Sequence, residues 1–291
     1  MGTLYLVGTP IGNLEDITLR ALRVLGEVRL IAAEDTRETR KLLERYGIRT
    51  PVVSFHAWSG TGRLQRVLEA LSDGDVALVS DAGMPAISDP GAELVRAAVA
   101  AGHAVTVVPG PSAVTAAAAI SGLVTDGFLF TGFLPRRATE RRARLAALAD
   151  LPYPLVIFEA PHRLAETLQD ALAVLGDRPV ALCRELTKRF EEVQRTTLGQ
   201  AAAYYAEHEP RGEYVLVIAA AESPAEPPSE AELRRLVAER MAAGMPPSAV
   251  ARELARETGV PRRELYRIAL AIQATARGEN VRVREGAGDG G

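Results

Sequence analysis

The sequence predicts an α/β protein with two α/β domains followed by a small helical module. In the first half of the chain, four short apolar runs of strand length, each followed within two residues by Gly, Pro or Asp, alternate with helical patterns. A proline-rich segment, SPAEPPS at 223–229, then interrupts this alternation, and only helical patterns follow it. The chain has 291 residues, of which 47% are hydrophobic, and this is enough for more than one packed core.

The first domain, residues 1–118, alternates strands with helices. Strands are predicted at 4–7, 30–33, 76–79 and 104–108, and helices at 19–25, 37–46, 62–71, 92–101 and 112–120. Strands joined through helices run parallel, and a parallel sheet is normally covered on both faces. We therefore expect a largely parallel sheet between two helical layers.

The second domain, residues 119–221, opens with a basic stretch at 136–144. Its predicted strands are 155–158, 180–183, 193–197 and 214–219, and its predicted helices are 163–175 and 198–208. Some neighbouring strands lack a helix between them and others have one. This spacing predicts a mixed sheet.

The C-terminal part is predicted to be helical after a linker at 222–229. Helices are expected at 230–243, 248–258 and 262–272, within a module that spans 230–275 and resembles a helix-turn-helix bundle. Ser229 followed by Glu232 has the spacing of a capping box. The polar, glycine-rich tail at 276–291 is predicted to be disordered.

Composition excludes several classes of protein. The formal charge of −3 argues against a uniformly basic surface, so any nucleic acid would be bound by local basic patches. The single cysteine, Cys183, lies in an apolar run and is expected to be a buried thiol in a reducing cytosol. No segment is long and apolar enough to span a bilayer and no basic signal region is present, so we expect a cytoplasmic protein without membrane contact.

The familiar nucleotide, metal and nucleophile motifs are missing. The sequence contains no GxGxxG after the first strand, no GxxxxGK[ST] and no GxSxG. It also lacks HExxH and CxxC spacings, so no metal site is expected.

Four turn-rich segments instead follow predicted strands, where ligands bind in open α/β sheets. They are GTPIGNL at 8–14, SDAGMPAISDPG at 80–91, PGPSA at 109–113 and RELTK at 184–188. Glycine allows close approach of the backbone and proline stiffens the turns. Together the four segments predict a slot for a small ligand that is held largely by main-chain groups.

These segments resemble a known family. TPIGNLEDIT, AAEDTR, SDAGMPAISDPG, VPGPSA, GFLPR, RELTKRFEE and GEYVLVI, in this order over about residues 3–221, are similar to the ribosomal small-subunit RNA (cytidine-2'-O)-methyltransferases. That family is the RNA-modifying branch of the tetrapyrrole methylases, whose small-molecule members usually have a GDP-type loop in place of SDAGMP. This chain departs from the family pattern with VGTPIGNL for VPTPIGNL and with Met84 for a frequent threonine.

The resemblance implies S-adenosylmethionine as methyl donor, bound in a cleft between the two α/β domains. It also implies 16S ribosomal RNA of the small subunit as substrate, and a homodimer. The donor-binding positions that match the family are Pro10, Ile11, Asp81, Ala82, Gly83, Met84, Ser112 and Ala113 in the first domain and Phe158, Leu186 and Glu213 in the second.

Catalysis requires the ribose hydroxyl, the methyl group and the sulfur to be aligned, and a group that stabilises the developing oxyanion or accepts the proton would help. Lys188 is one candidate, although it could also form a surface salt bridge to a neighbouring glutamate. Glu34 and Asp35 are candidate proton acceptors, with Arg37 as a phosphate ligand. Asp89 is the last candidate, and both Asp35 and Asp89 could instead cap a helix.

Arginine clusters are the candidate RNA contacts. They comprise Arg136, Arg137, Arg141 and Arg142 in the basic stretch, and Arg262 and Arg263 in the last helix. A solvated helix face would explain them equally well. Two other functions remain open: a small-molecule methyltransferase with a tetrapyrrole-like substrate, and a non-catalytic RNA-binding assembly factor.

Overall fold

A computed structural model describes residues 2–56, 61–88, 91–221 and 228–285 of the chain. The chain divides into two compact units, Met1–Ala221 and Glu222–Gly291. The first unit contains two five-stranded sheets. Within the described residues, no helix has the length and hydropathy needed to cross a membrane.

The first sheet is entirely parallel, as predicted. Its strands have the order β3-β2-β4-β1-β5. The strands are β1 Thr3–Val7, β2 Leu30–Ala33, β3 Val52–Ser54, β4 Val76–Val79 and β5 Ala104–Val108, and the helices are α1 Leu19–Glu27, α2 Thr36–Arg45, α3 Thr61–Asp73 and α4 Ala92–Ala100. Strand β3 was not predicted, because three residues are too few to show a periodic pattern.

Helices cover both faces of this sheet. On one face, Leu25 of α1 and Leu43 of α2 pack with Ile31 of β2. On the other face, Leu71 of α3 and Leu94 of α4 pack with neighbouring strand residues. The predicted arrangement of a sheet between two helical layers is therefore confirmed. Because the five strands are parallel, their carboxyl ends lie at one edge of the sheet.

The second sheet is mixed, also as predicted. It has the order β6-β7-β10-β8-β9, in which only the β6–β7 pair is parallel. The elements are α5 Ala113–Ser121, β6 Leu129–Phe133, α6 Ala138–Ala146, β7 Leu155–Glu159, α7 Pro161–Leu175, β8 Pro179–Arg184, β9 Glu192–Thr197, α8 Leu198–Glu207 and β10 Tyr214–Ile218. Strand β6 was not predicted, and its pairing shifts register between Phe130 and Gly132, which interrupts the period-2 pattern.

Helix α5 corrects the predicted domain boundary at residue 118. Val114 and Ala117 of α5 lie in one apolar cluster with Ala181 and Cys183 of β8, so the whole helix packs on the second sheet. The change of sheet therefore falls between β5 and α5. A helical pattern in sequence cannot say which of two sheets the helix will cover. Cys183 is buried in this cluster, as predicted.

The C-terminal unit contains α9 Glu230–Ala242, α10 Pro247–Thr258 and α11 Arg262–Glu285. Ser229 caps α9, and its side chain accepts a hydrogen bond from the Glu232 N–H at 3.3 Å. Residues 276–285, part of the tail that the sequence predicts to be disordered, continue helix α11, and residues 286–291 lie outside the described residues.

Candidate active site

Three of the predicted loops of the first sheet meet at the carboxyl ends of its strands. The Gly8 N–H donates to the Val108 carbonyl at 3.0 Å, which joins the loop after β1 to the end of β5. Thr9 and Gly83 exchange backbone hydrogen bonds of 2.9 and 3.1 Å. The buried Thr9 hydroxyl also donates to the Ser80 carbonyl at 3.1 Å. These bonds make one continuous surface out of the three segments.

Glycine at positions 8 and 110 allows the closest of these contacts. A Cβ atom on Gly8 would lie 2.8 Å from the Gly110 nitrogen and 2.8 Å from the Met84 sulfur. A Cβ on Gly110 would lie 2.9 Å from the Gly8 carbonyl oxygen. Any side chain at either position would therefore push the loops after β1 and β5 apart. Met84, a predicted donor-binding residue, packs directly against this contact.

The same loops touch the second sheet at two points. A Cβ on Gly12 would lie 2.5 Å from Lys188 Cγ and 3.0 Å from the Leu186 carbonyl oxygen. A Cβ on Gly132 would lie 2.8 Å from the Ser88 hydroxyl oxygen. The loops after β1 and β4 therefore reach the turn after β8 and strand β6. These contacts bring together residues that the sequence predicted in two separate domains.

An apolar cluster connects the two sheets at this edge. It includes four predicted donor-binding residues: Ile11, Ala113, Phe158 and Leu186. The Phe158 ring packs edge-on against Phe130, with 4.9 Å between the ring centroids. The cluster thus combines residues of the β1 loop, of α5, of β7 and of the turn after β8.

The remaining predicted donor-binding positions in the first half lie around this cluster. Pro10 and Gly83 are buried, whereas Asp81 and Ala82 are exposed. Ser112 is the N-cap of α5, and its side chain makes no capping hydrogen bond.

Unusual backbone conformations mark two of these loops. The non-glycine residues with positive φ in the described part of the chain are Ala86, Ser88, Glu185 and Thr187. The first two lie in the loop after β4 and the last two in the turn after β8. Such conformations cost about 1–3 kcal/mol each and cluster at functional sites, where surrounding contacts maintain them.

Lys188 is held between two carboxylates. Its ammonium donates to Glu185 Oε1 at 2.9 Å and to Glu213 Oε2 at 2.8 Å. The Glu213 N–H also donates to Glu185 Oε1 at 2.9 Å, and the Glu185 N–H donates to the Glu213 carbonyl at 2.9 Å. The predicted salt bridge to a neighbouring glutamate is therefore present, together with a second one. Glu185 ties Lys188 to the start of β10.

The electrostatics of this cluster fix the charge of Lys188. Burial disfavours the charged ammonium, but hydrogen bonds to Glu213 and Glu185 outweigh it and raise the pKa of Lys188. Burial likewise acts to raise the pKa of Glu185, but hydrogen bonds from the Glu213 N–H and from Lys188 outweigh it and lower that pKa. Lys188 is therefore a cation at neutral pH. It is suited to stabilising an oxyanion and unsuited to accepting a proton.

Asp35 has the alternative role that the sequence allowed, as a helix cap. Its carboxylate accepts hydrogen bonds from the Arg37 N–H at 2.8 Å and from the Arg37 guanidinium at 2.7 Å. These bonds lower the pKa of Asp35 to about 2. A carboxylate with so low a pKa is a weak base. Arg37 accordingly has its guanidinium bound to Asp35.

Glu34 and Asp81 join the same loop edge. The Asp35 N–H donates to Asp81 Oδ1 at 2.8 Å, and the Asp81 N–H donates to Glu34 Oε2 at 3.4 Å. These bonds link the ends of β2 and β4. The fourth catalytic candidate, Asp89, lies outside the described residues.

The arginines of the basic stretch are not equivalent. The prediction that Arg141 contacts RNA is wrong. Its side chain is only 2% exposed and binds Asp170 at 2.6 Å, so it is a buried structural residue. Arg142 also binds Asp170 at 2.6 Å, although its side chain is 59% exposed. Arg136 and Arg137 are exposed, and Arg262 and Arg263 are exposed on α11.

Sequence reasoning missed Glu185 and Gly12 as site residues. Both lie inside motifs that were recognised, but their role depends on partners distant in sequence: Glu213 for Glu185 and Lys188 for Gly12. Within the described residues, no group of three or more His, Cys, Asp or Glu side chains could hold a metal ion.

Two family models and several named proteins match this chain. Residues 3–202 match the family model of the tetrapyrrole (corrin/porphyrin) methylases, and residues 227–273 match that of the RsmI C-terminal HTH domain. The chain is 48% identical over 278 residues to a Synechocystis protein named ribosomal RNA small subunit methyltransferase I, covering 94% of this chain and 99% of that protein. It is 45% identical over 273 residues to a protein of the same name from Halalkalibacterium halodurans, covering 92% and 94%.

A solved structure resembles the α/β unit. It is uroporphyrin-III C-methyl transferase from Thermus thermophilus complexed with S-adenyl homocysteine. The match has a TM-score of 0.55 and 21% identity, and it covers 75% of this chain and 97% of that one. At this identity the likeness establishes the fold.

Proposed function

Because this chain belongs to the tetrapyrrole (corrin/porphyrin) methylases, a family of S-adenosylmethionine-dependent methyltransferases, we propose that it methylates the RNA of the small ribosomal subunit. The acceptor is the 2'-hydroxyl of a cytidine ribose in 16S RNA. The names of the relatives at 48% and 45% identity support the RNA class. The motifs that resemble the cytidine-2'-O branch support the acceptor atom.

The donor is bound where the loops of the first sheet meet the second sheet. The apolar side chains of Ile11, Ala113, Phe158 and Leu186 line one side of this place. The loop after β4, with Met84, and the loop after β5, with Gly110, meet beside this place. When bound, S-adenosylmethionine supplies a methyl group on a positively charged sulfur.

The observation that carries the proposal is the placement of Lys188. Its stem packs against Gly12 of the β1 loop, and its ammonium is held by Glu185 and Glu213. An ammonium has three N–H donors, and these two carboxylates take two of them. The third donates to the ribose oxygen as that oxygen loses its proton.

The reaction is an in-line displacement in which Lys188 lowers the energy of the attacking oxygen. The O–CH₃ bond forms while the S–CH₃ bond breaks, the sulfur keeps the electron pair, and the hydroxyl proton passes to water. Rigid positioning of the two reactants can contribute about 7–11 kcal/mol. The strained turn at Glu185 and Thr187 and the contact at Gly12 supply that rigidity.

The RNA is bound by exposed arginines in each unit. In the α/β unit these are Arg136 and Arg137, which follow β6. In the C-terminal unit, Arg262 and Arg263 begin α11 and are exposed. A small-molecule substrate would leave these side chains and the whole helical unit without a role. The substrate is the assembled subunit, in the cytoplasm.

The protein acts as a homodimer. Its edge strand β5 leaves Val107 47% exposed, and Leu19 at the start of α1 is 86% exposed. Exposed apolar side chains beside an edge strand favour contact with a second chain. Light scattering of the purified chain tests the dimer independently of activity.

The test is transfer of labelled methyl to small subunits from cells that lack this activity, followed by mapping of the modified nucleotide. Label on a cytidine ribose is the expected result. Label absent from RNA despite binding of the donor would favour the small-molecule methylase. Absence of donor binding would leave only the non-catalytic RNA-binding function.

Lys188→Met tests the proposed role of the ammonium, because methionine keeps the apolar stem. Removing one hydrogen-bond donor to an oxyanion lowers kcat by about 10²–10³-fold. We therefore expect kcat to fall by about 100-fold, while the dissociation constant of S-adenosylmethionine stays unchanged. Lys41 is the matched control, since it is the other lysine of the chain and is exposed on α2. Lys41→Met should leave both constants unchanged.

Equal loss of donor binding and turnover in Lys188→Met would contradict the catalytic role. This variant could lose thermal stability because Glu185 is left without its cation. The double variant Lys188→Met, Glu185→Gln controls for this, because it removes the charges of both Lys188 and Glu185. It should regain stability and remain slow.

A further inference from the structure

A cavity of about 320 Å³ lies beside the turn after β8, on the side of the second sheet that α8 covers. Its walls include Tyr204, Tyr205 and His208 of the α8 region and Tyr214 of β10. Sites for small ligands occupy about 300–1,000 Å³, so this cavity suits one compact group. Neither the donor site nor the arginine patches include it.

The aromatic walls form an ordered platform. The rings of Tyr204 and His208 are stacked, with 4.0 Å between centroids and 3° between planes. Tyr205 meets Tyr204 edge-on at 5.0 Å and Tyr214 edge-on at 6.0 Å. Tyr204 is nevertheless 46% exposed, which is a large exposed area for an aromatic side chain held in a cluster. His208 covers one face of the Tyr204 ring, and the exposed remainder of that ring is available to a flat ligand.

The charges around the cavity are balanced. Arg184 binds Glu192 at 3.2 Å, and Arg211 binds Glu209 at 3.5 Å. A phosphate would meet two carboxylates here, so the cavity does not favour an anion. The amide of Gln194 offers a donor and an acceptor at the wall. A flat, neutral group with polar edges fits, and in RNA that group is an unpaired base.

The cavity adjoins the Lys188 cluster. Arg184 directly precedes Glu185, and Tyr214 directly follows Glu213. Arg184 and Tyr214 are also paired in the β8–β10 ladder. Successive side chains of a strand point to opposite faces, so the cavity and the Lys188 cluster lie on opposite faces of the second sheet, at the same end of β8 and β10. A nucleotide a short way along the strand from the one at Lys188 reaches the cavity if the RNA passes around this end of the sheet.

We propose that this cavity binds one unpaired base of the substrate RNA, close in sequence to the methylated nucleotide and stacked on Tyr204. The proposal rests on the proposed function, because it concerns the same RNA. It assigns to α8 the task of holding the RNA strand while the ribose reacts beside Lys188. Stacking on an aromatic side chain accepts any base, and Gln194 adds a polar contact to its edge.

Tyr204→Leu is the test, with methyl transfer to small subunits as the assay. Removing an aromatic stacking partner costs about 1–3 kcal/mol per base, which corresponds to about 5–150-fold. We expect KM for the subunit to rise by that factor, while kcat and the donor dissociation constant stay within about twofold of wild type. Tyr153→Leu is the matched control, because Tyr153 is 50% exposed in the same unit and lies outside the cavity. It should leave KM unchanged.

Tyr204→Phe separates stacking from folding. It keeps the ring and loses only the hydroxyl, so KM should stay near that of wild type even if Tyr204→Leu proves unstable. A KM for Tyr204→Leu equal to that of Tyr153→Leu would overturn the proposal, and so would a high KM for Tyr204→Phe. A parallel loss of donor binding in Tyr204→Leu would assign the cavity to the donor instead. Failure of the proposed function is distinguishable, because the wild-type protein itself would then not label RNA.

Discussion

Replacing Arg141 with methionine tests whether this side chain stabilises the second sheet instead of binding RNA. Arg141 is 2% exposed, and its Nε atom donates to Asp170 Oδ2 at 2.6 Å, where Asp170 is 4% exposed. Removing one member of a buried ion pair costs about 3–5 kcal/mol, because the other charge is left away from water. Arg142 still binds Asp170 at 2.6 Å from the solvent side. We therefore expect a loss of about 3 kcal/mol, at the lower end of this range.

Urea and thermal unfolding measure this loss. In a unit of this size, about 3 kcal/mol corresponds to a midpoint lower by roughly 6–12 °C. Arg137→Met is the matched control, because the Arg137 side chain is 83% exposed and pairs with the exposed Glu140. A surface substitution of this kind should change the free energy of unfolding by no more than about 0.5 kcal/mol.

The difference between Arg141→Met and wild type should depend on pH. Burial acts to raise the pKa of Asp170, but hydrogen bonds from Arg142 and Arg141 outweigh it and lower that pKa. A carboxyl group whose pKa is lower in the folded state adds stability above its unfolded pKa, and this stability is lost as the pH falls through the folded pKa. The two proteins should therefore differ most at neutral pH and should converge below about pH 4.

The affinity for RNA, measured at several salt concentrations, tests whether either arginine contacts a phosphate. Loss of one phosphate contact lowers the slope of log affinity against log salt by about 1. We expect that change for Arg137→Met and none for folded Arg141→Met. An Arg141→Met protein as stable as wild type but with a lower slope would refute the assignment.

Two further predictions concern the loops of the active site. Asp35→Asn should retain methyl transfer, whereas Asp35→Ala should lower the thermal midpoint because the helix cap is lost. Because the pKa of Asp35 is about 2, this carboxyl group should not contribute to the pH dependence of activity between pH 5 and 8. A loss of turnover in Asp35→Asn as large as in Lys188→Met would contradict this. Gly12→Ala should lower kcat by about 10-fold or more, because the added methyl would lie 2.5 Å from Lys188 Cγ and displace the ammonium. Gly26→Ala in α1, where nothing lies within 4 Å, is its control, and equal activity of the two variants would disprove the contact.

Local pattern was enough to predict the architecture. Alternation of strands and helices predicted the parallel first sheet, and the spacing of strands after residue 150 predicted the mixed second sheet. Turn chemistry predicted the loops at 8–14, 80–91 and 109–113, which the structure brings together through the Thr9–Gly83 hydrogen bonds and the close contact of Gly8 with Gly110. These features are encoded within short windows, because periodicity and backbone preference act between near neighbours.

Motif recognition selected Lys188, but it could not reveal how this lysine is held. Glu185 is three residues away and Glu213 is twenty-five residues away, and only pairing of β8 with β10 brings the two glutamates together. Likewise, the sequence predicts an RNA contact at Arg141, because a dense run of arginines does not reveal which of them faces a buried aspartate on another helix.

Local patterns therefore suffice to predict the class of fold, the order of its elements and the loops that carry the site. That α5 covers the second sheet, that Arg141 is buried and that tyrosines line a cavity at the end of β8 and β10 is visible only in the folded chain. The physical reason is that burial and ion pairing depend on which surfaces meet after folding. Those surfaces belong to residues tens of positions apart, and no local pattern records their distance.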